Sequence, residues 1–406
     1  MHAPVPRSKA AKLTLPSSAM TVFSFLAAIL LAASSAAPTP LYPIYQQSLQ
    51  LSPLMVTLVF AVYAFSLLAA LLTVGGLSDH IGRKPVIVAS LLLNVGAMLL
   101  FVRTNDLGHL MFARAVQGLA VGTGITVLGA AILDTNRRHG PLLNSVFIFL
   151  GLTVGALGSG LLVAFAPNPL HLVFEVLLAV TVILFVLLFA MPETTAGRAG
   201  AWASLWPHVA VPRQSRAVYI LITPGNVAVW AFGAFYLALM PVIVATAMHA
   251  TSALTGGVVV AALMATAAMT VAALRTQKPR LLVQIGTAAL ALGAAVSLFG
   301  IEQQAAGALF TGTVIAGVGF GASFSGALQS LLPTAHADQR AGLLAAFYVQ
   351  CYLAFSLPAI AAGLAIPRIG LDITAYIYGG AVIVLALVSM VASLFGGGDA
   401  HAGAER

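Results

Sequence analysis

The chain has 406 residues, of which 60% are hydrophobic and only 7% charged, with a formal net charge of +8. Its mean hydropathy is +1.03. A soluble domain usually carries about 25% charged residues, so a water-facing globule is excluded. Strand-like alternation is absent, which argues against an outer-membrane barrel.

Twelve apolar segments follow in chain order, at 18–40, 53–75, 85–102, 107–132, 141–166, 170–191, 218–246, 252–274, 281–300, 305–331, 341–366 and 372–396. Most match the roughly 20 residues of a helix that crosses a bilayer. The first, "VFSFLAAILLAASSAAPTP", follows Lys and Arg and also resembles a cleavable signal peptide. An internal repeat favours its retention. With an offset of 199, "RAVQGLAVG" falls on "TVIAGVGFG", so that Gly118 matches Gly317 and Gly122 matches Gly321. Glycines four apart let helix backbones approach closely. Two halves of six helices are therefore expected, and the first segment is needed to complete one of them.

Lys and Arg test the topology. With the N-terminus inside, 15 of the 18 fall on the inner side, only Arg103 and Arg368 lie in outer loops, and Arg114 lies within a helix. This strong bias places both termini in the cytoplasm, and the expected location is the inner membrane of a bacterium. The cations sit in short loops, so they report orientation rather than a nucleic-acid patch. The expected organisation is a tail at 1–17, a six-helix bundle at 18–191, a cytoplasmic linker at 192–217, a second bundle at 218–396 and a tail at 397–406. Trp202 and Trp206 in the linker mark either a short amphipathic helix or simple aromatic anchors at the membrane surface.

Two groups of residues break the apolar pattern. "GGLSDHIGRKP" (75–85) is a charged loop between two of the most hydrophobic segments. Gly75 and Gly82 permit tight turning. Asp79 and Arg83, four apart, pair if one helical turn persists. Asp134 ends the fourth segment on the same side. Lys84 reads as a topology anchor. The second group is Arg114 and Glu175, the ionisable residues inside membrane segments. A charge at the bilayer centre costs at least about 2.5–3.5 kcal/mol, so both are functional candidates. His171 and His249 read as interfacial residues at the outer ends of helices.

Other chemistry is missing from the sequence. There is no Cys/His cluster, no GK[ST] phosphate loop and no His-Glu-x-x-His, so no metal, cofactor or ATP-driven step is expected. The single cysteine, Cys351, lies in an apolar run and reads as a core residue. A polytopic membrane enzyme would need a buried catalytic pair, and none is found. A sensor would need a larger soluble domain than the linker provides.

The loop "GGLSDHIGRKP" resembles the G-x-L-x-D-x-x-G-R-K/R-x loop between helices 2 and 3 of the major facilitator superfamily. "RAVQG" resembles that superfamily's helix 4 motif, and "MPET" (191–194) the Pro-Glu-Thr that often ends its sixth helix. "GLTVGALGSG" (151–160) has the glycine density of the helix 5 antiporter motif but lacks its Gly-Pro pair. The resemblance spans 18–396 and implies twelve transmembrane helices in two pseudo-symmetric bundles working by alternating access. It implies that Gly75, Asp79, Gly82, Arg83 and Asp134 form a switch that locks the bundles on the cytoplasmic side, with Asp79 facing the N-terminus of helix 11. The second half has no such pattern, since "LRTQKPR" (274–280) lacks an acid. Any lock there would borrow Asp338 across to Arg275 or Arg280.

The same resemblance associates the helix 4 arginine with proton movement, so Arg114 is expected to tune a protonatable group, with Glu175 as its candidate. It places a substrate cavity between the bundles, with Tyr42, Tyr63, Gln117, Asn226, Trp230, Tyr348, Gln350 and Tyr352 as lining candidates. Such a cavity is mostly apolar and suits a small amphipathic molecule. Helix 1 carries no acid, which weakens a cationic-drug reading. The expectation is a monomeric, proton-coupled exporter of small amphipathic or drug-like compounds, with export of sugars or other neutral metabolites as the alternative.

Overall fold

The computed structural model describes residues 15–246 and 252–395. The expected tail cations Arg7, Lys9, Lys12 and Arg406, and His249, lie outside them. Twelve helices are long and apolar enough to cross a membrane: α1 Ser17–Ser48, α2 Pro53–Val74, α3 Arg83–Val102, α4 Leu107–Thr135, α5 Gly140–Phe165, α6 Pro169–Leu188, α7 Arg213–Thr246, α8 Leu254–Ala273, α9 Pro279–Glu302, α10 Ala306–Thr334, α11 Arg340–Ile369 and α12 Leu371–Leu394. No strand occurs among the described residues.

Local chemistry sets the helix ends. Ser52 caps α2 by accepting from the Met55 backbone N–H, with Pro53 at the first helical position. Asp106 caps α4 by accepting from the His109 backbone N–H at 2.9 Å. That bond holds the Asp106 carboxyl below the usual carboxylate range. Both are standard N-terminal solutions for donors that lack an intrahelical partner. Pro169 and Pro279 open α6 and α9, where their missing N–H is of no consequence.

The first helix departs from expectation. Its apolar run was expected to end near residue 40. The chain instead turns at Pro38, passes through a 3-10 turn at Thr39–Leu41 and continues as a helix over Tyr42–Ser48. Pro38 has no N–H to donate to the Ser34 carbonyl one turn earlier. In a bilayer every freed carbonyl must find a donor inside the protein. Neighbouring helices supply them. Gln117 Nε2 of α4 donates to Ser34 O at 2.7 Å, Arg114 Nη1 to Ser35 O at 3.1 Å, and Ser159 Oγ of α5 to Ala37 O at 2.6 Å.

Helices α1–α6 form one bundle and α7–α12 a second. Within the first, α4 packs on α1, α2 and α3, and α5 on α1; within the second, α10 packs on α8 and α9, and α7 on α11 and α12. The sequence repeat has a structural counterpart. A Cβ on Gly122 would meet Leu67 O and Ala70 Cβ of α2, and one on Gly321 would meet Ala267 O and Thr270 Cβ of α8. Glycines matched by the offset thus sit at matched crossings, α4 on α2 and α10 on α8. The outward faces are apolar: on α6, Val176, Val180, Ile183 and Leu187 are exposed at helical spacing. In a membrane protein such a face meets lipid.

The bundles meet through α5 against α8 and α2 against α11. The contact is close at one end only. A Cβ on Gly257 of α8 would lie 3.2 Å from Gly160 Cα of α5. A Cβ on Gly363 of α11 would lie 3.0 Å from Leu54 Cα and 3.1 Å from Thr57 Cβ of α2. These residues lie at the face away from the 75–82 loop, opposite the loop face.

Gly155 and Gly158 provide a paired test of the small-residue packing. A Cβ on Gly155 would collide with the Ala33 backbone of α1, its carbonyl carbon lying only 2.7 Å away, whereas one on Gly158 meets nothing within 4 Å. Gly155→Ala is therefore expected to destabilise the protein by about 1–3 kcal/mol, the usual cost of overpacking. Gly158→Ala is expected to be neutral or slightly stabilising. Thermal melting of the purified protein followed by size-exclusion fluorescence would show the difference.

Candidate functional site

The charged loop folds into a network within the first bundle. Gly82 takes φ +97°, a backbone conformation that suits glycine, and the chain then enters α3 at Arg83. Arg83 is buried. Its Nη1 donates to Asp79 Oδ1 at 2.5 Å and to Ser78 Oγ at 2.7 Å, and its Nε to Asp134 Oδ2 at 2.9 Å. The spacing-based pairing of Asp79 with Arg83 is present, and Asp134 reaches the same guanidinium from the end of α4.

Glu193, just after α6, is a residue whose role the sequence did not reveal. Its carboxylate accepts from the backbone N–H groups of Arg83 at 2.8 Å and Lys84 at 3.0 Å. A carboxylate at the positive end of a helix is favoured, and here it comes from 110 residues away in sequence. The "MPET" string was the signal, but nothing in it states which helix the glutamate caps. Lys84, read as an anchor, donates from Nζ to Met191 O at 2.6 Å.

The network does not cross to the second bundle. Among the described residues the only ion-pair partner of Asp79 is Arg83. At the start of α11 the nearby chain is the inter-bundle segment instead: Ala210 N donates to Gly342 O at 3.2 Å, and a Cβ on Gly342 would lie 2.9 Å from the His208 ring. The expected approach of Asp79 to helix 11 is therefore not made in this conformation, because the bundles are apart at the loop face. The inter-bundle segment also holds the loop, with Arg198 N donating to His80 O at 2.9 Å. Trp202 and Trp206 lie on and beside a single helical turn, Ala201–Ser204, and are 85% and 82% exposed. No ion pair joins Asp338 to Arg275 or Arg280 among the described residues. Arg280 instead donates to the Ser393 and Leu394 carbonyls near the end of α12.

Between the bundles lies a vestibule of about 780 Å³, open at the loop face and lined by residues such as Thr126, Asn144, Pro279, Gln329 and Tyr348. At its apex is a chamber of about 70 Å³ lined by Arg114, Tyr63, Trp230, Tyr352 and several phenylalanines. Leu67, Ile125, Ile148, Trp230, Phe324 and Tyr352 line both. Aromatic pairs bridge the bundles here. Phe60 of α2 lies 4.7 Å from Phe355 of α11, and Phe149 of α5 lies 5.9 Å from Phe320 of α10, centroid to centroid. Phe60, Phe149 and Phe320 were not legible in the sequence, since an isolated Phe in an apolar run carries no sign of facing a cavity.

Arg114 is the largest wholly buried side chain. Its Nη1 donates to Gln117 Oε1 at 2.6 Å and its Nη2 to Tyr42 Oη at 2.7 Å. The Tyr63 ring lies 4.5 Å from the guanidinium carbon, a cation–π contact. Glu175 is not its partner. Glu175 is exposed on α6, beside the outward-facing Val176. It stands on the lipid-facing side near the helix start, where a carboxylate reaches the interface.

The candidate cavity residues thus divide. Tyr63, Trp230, Tyr348 and Tyr352 line the cavity. Tyr42 and Gln117 lie behind it and hold Arg114. Asn226 and Gln350 are not among the lining residues, because they bond to each other: Asn226 Nδ2 donates to Gln350 Oε1 at 2.8 Å, and Gln350 Nε2 to Thr223 Oγ1 at 2.7 Å. They fasten α7 to α11 beside the buried Cys351. Among the described residues no cluster suited to a metal ion is present.

The two modes of loop stabilisation differ in cost. Arg83→Met strands two carboxylates beside each other, whereas Glu193→Ala removes a helix cap at a typical cost of about 1 kcal/mol. The expected order of destabilisation is Arg83→Met, then Glu193→Ala, then Glu193→Gln, which keeps an acceptor. Melting midpoints of the three purified variants would check the order.

The Major Facilitator Superfamily model matches residues 24–357. The chain is 27% identical over 299 residues to "Multidrug resistance protein MdtL" of Klebsiella pneumoniae, covering 70% of this chain and 74% of that protein. It is 31% identical over 145 residues to "MFS-type transporter R5" of Phoma sp., covering 34% of this chain and 26% of the other. The structure of the human organic anion transporter MFSD10 superposes with a TM-score of 0.65 at 16% identity, covering 93% of this chain and all of that one. With twelve apolar helices in two bundles around a central cavity, and a family match over most of its length, this chain belongs to the Major Facilitator Superfamily.

Proposed function

We propose that this protein is a secondary active exporter of small amphipathic or drug-like compounds, working by alternating access in the inner membrane of a bacterium. One observation carries the reading: a vestibule between the bundles is open at one face and closed at the other by the α2–α11 and α5–α8 contacts. This is the arrangement expected of one end state of a rocking cycle about a midplane site. In this reading the bundles are units at 18–191 and 218–396, joined by a cytoplasmic linker at 192–217. The loop face, rich in Lys and Arg, is the cytoplasmic side, and the state is inward-open. The network of Gly75, Asp79, Gly82, Arg83 and Asp134 then belongs to the switch. It is held within one bundle in this state and is available to engage α11 when the cytoplasmic side closes.

The similarity to a protein named for multidrug resistance supports drug-like compounds as substrates, and the aromatic chamber supports amphipathic ones. Export of sugars fits less well, because the apex offers few hydrogen-bonding groups. The proton gradient is the energy source in this reading, and the protein acts as a monomer.

Two experiments test this. In a Cys351→Ser background, Thr57→Cys with Gly363→Cys places two thiols across the closed face, from Cβ positions 3.1 Å apart. A small adjustment brings them to the roughly 3.5–4.5 Å of a disulfide. Oxidation is expected to stop export and dithiothreitol to restore it; export that continues with the cross-link formed would overturn alternating access at this seal. Separately, Glu175→Gln is expected to leave the pH dependence of export unchanged, because the residue faces away from the cavity. A shifted pH profile would return Glu175 to the coupling machinery.

A further inference from the structure

We infer that the chamber is an anion-recognition site and that the substrate is an amphipathic organic anion, its carboxylate or similar head pairing with Arg114 and its apolar body lying among the aromatic rings. The inference rests on the exporter reading above and names the class of molecule exported.

The argument starts from charge. Eight acidic side chains occur among the described residues: Asp79, Asp106, Asp134, Glu175, Glu193, Glu302, Asp338 and Asp372. None lines the vestibule or the chamber, and among the described residues Arg114 is the only charged one that does. Arg114 is 1% exposed and has no carboxylate partner among the described residues. Its environment stabilises it with neutral groups alone, namely Ser35 O, Gln117 Oε1, Tyr42 Oη and the Tyr63 ring. The cavity therefore carries one uncompensated positive charge in apolar surroundings, where an electrostatic interaction is far stronger than in water.

Hydrogen-bonding capacity points the same way. An arginine has five N–H donors. Two on Nη1 and one on Nη2 are used. The Nε–H is buried without a partner, and Nη2 makes one hydrogen bond where it can make two. Nε and Nη2 share one edge of the guanidinium plane, the edge that grips a carboxylate with two parallel bonds. Room and shape fit such a head. The chamber of about 70 Å³ admits a small polar group, and the larger vestibule takes the remainder. Phe60, Phe149, Trp230, Phe320 and Phe355 supply apolar faces on both bundles, so an occupant there touches both halves of the machine.

A cation is disfavoured on the same grounds. It would enter a site with no acid, beside a fixed positive charge. An anion also bears on energetics. In the proton-coupled reading above, the substrate's own negative charge adds the electrical part of the protonmotive force to the drive for its exit.

Three near-isosteric probes separate the readings: phenylbutyrate, phenylbutanamide and phenylbutylamine. Each is tested by its shift of the melting midpoint of the purified protein, and by uptake into proteoliposomes above that of protein-free vesicles. The expected result is that phenylbutyrate binds at least about tenfold more tightly than the amide or amine, and that a potassium diffusion potential of either sign alters its uptake more than that of the amide. Arg114→Lys, which keeps the charge but not the fork, is expected to retain part of the preference, and Arg114→Gln to abolish it. Should Arg114→Gln fail to fold, the comparison of probes on the unaltered protein still decides. Amide or amine binding as tightly as phenylbutyrate, or a preference that survives Arg114→Gln, would overturn the anion site and leave Arg114 as a brace for α1. If the amine or amide is transported and phenylbutyrate is not, the anion inference falls and the exporter reading stands. If none of the three moves through folded protein, both fall.

Discussion

Much of the first bundle depends on one constraint: a backbone break inside a membrane must be repaired by the protein itself. Pro38 interrupts α1 and frees carbonyls that water cannot reach. Gln117 and Arg114 of α4 and Ser159 of α5 donate to them. The repair fixes α1 against two other helices, turns the chain so that Tyr42 comes back over the guanidinium, and places a buried cation at the apex of the cavity. Local backbone chemistry therefore sets the electrostatics of the central site. The same arginine closes a structural defect and confers charge, and only two of its five donors remain for anything else.

The two bundles share their packing but differ in their charges. Matched glycines let α4 approach α2 and α10 approach α8 in the same way. At the loop face the resemblance ends. The first bundle gathers Asp79, Arg83, Asp134 and Glu193 around the start of α3. In the second bundle, Arg280 turns to the last carbonyls of α12, where a cation is favoured by the helix dipole. The chain between the bundles bonds to both His80 and Gly342. A movement of one bundle against the other must therefore alter those bonds or bend the segment between Arg198 and Ala210.

Legibility in the sequence followed the range of the interaction. Pairs within one turn, such as Asp79 with Arg83, were readable because helical geometry alone brings residues four apart together. Tyr63, Trp230 and Tyr352, named as lining candidates through the family resemblance, do line the cavity. Asn226 and Gln350 were misplaced, because a polar residue on a helix face serves equally well for a cavity or for a neighbouring helix, and here each satisfies the other. Arg114 and Glu175 were matched as the ionisable residues inside membrane segments, but position along a helix carries no information about rotation around its axis. Rotation turns Glu175 outward and Arg114 inward.

The sequence by itself determined the class of the molecule. Apolar length, cation-bearing loops, paired glycines and the loop motif specify twelve spanning helices, because the bilayer imposes its thickness and its intolerance of unpaired polar groups on every segment independently. The tertiary structure decided which polar groups meet. Glu193 capping α3, Gln117 and Arg114 mending α1, and aromatic rings closing over a lone cation all depend on contacts between residues far apart in the chain. Those contacts follow from how helices rotate and cross, which hydropathy does not encode.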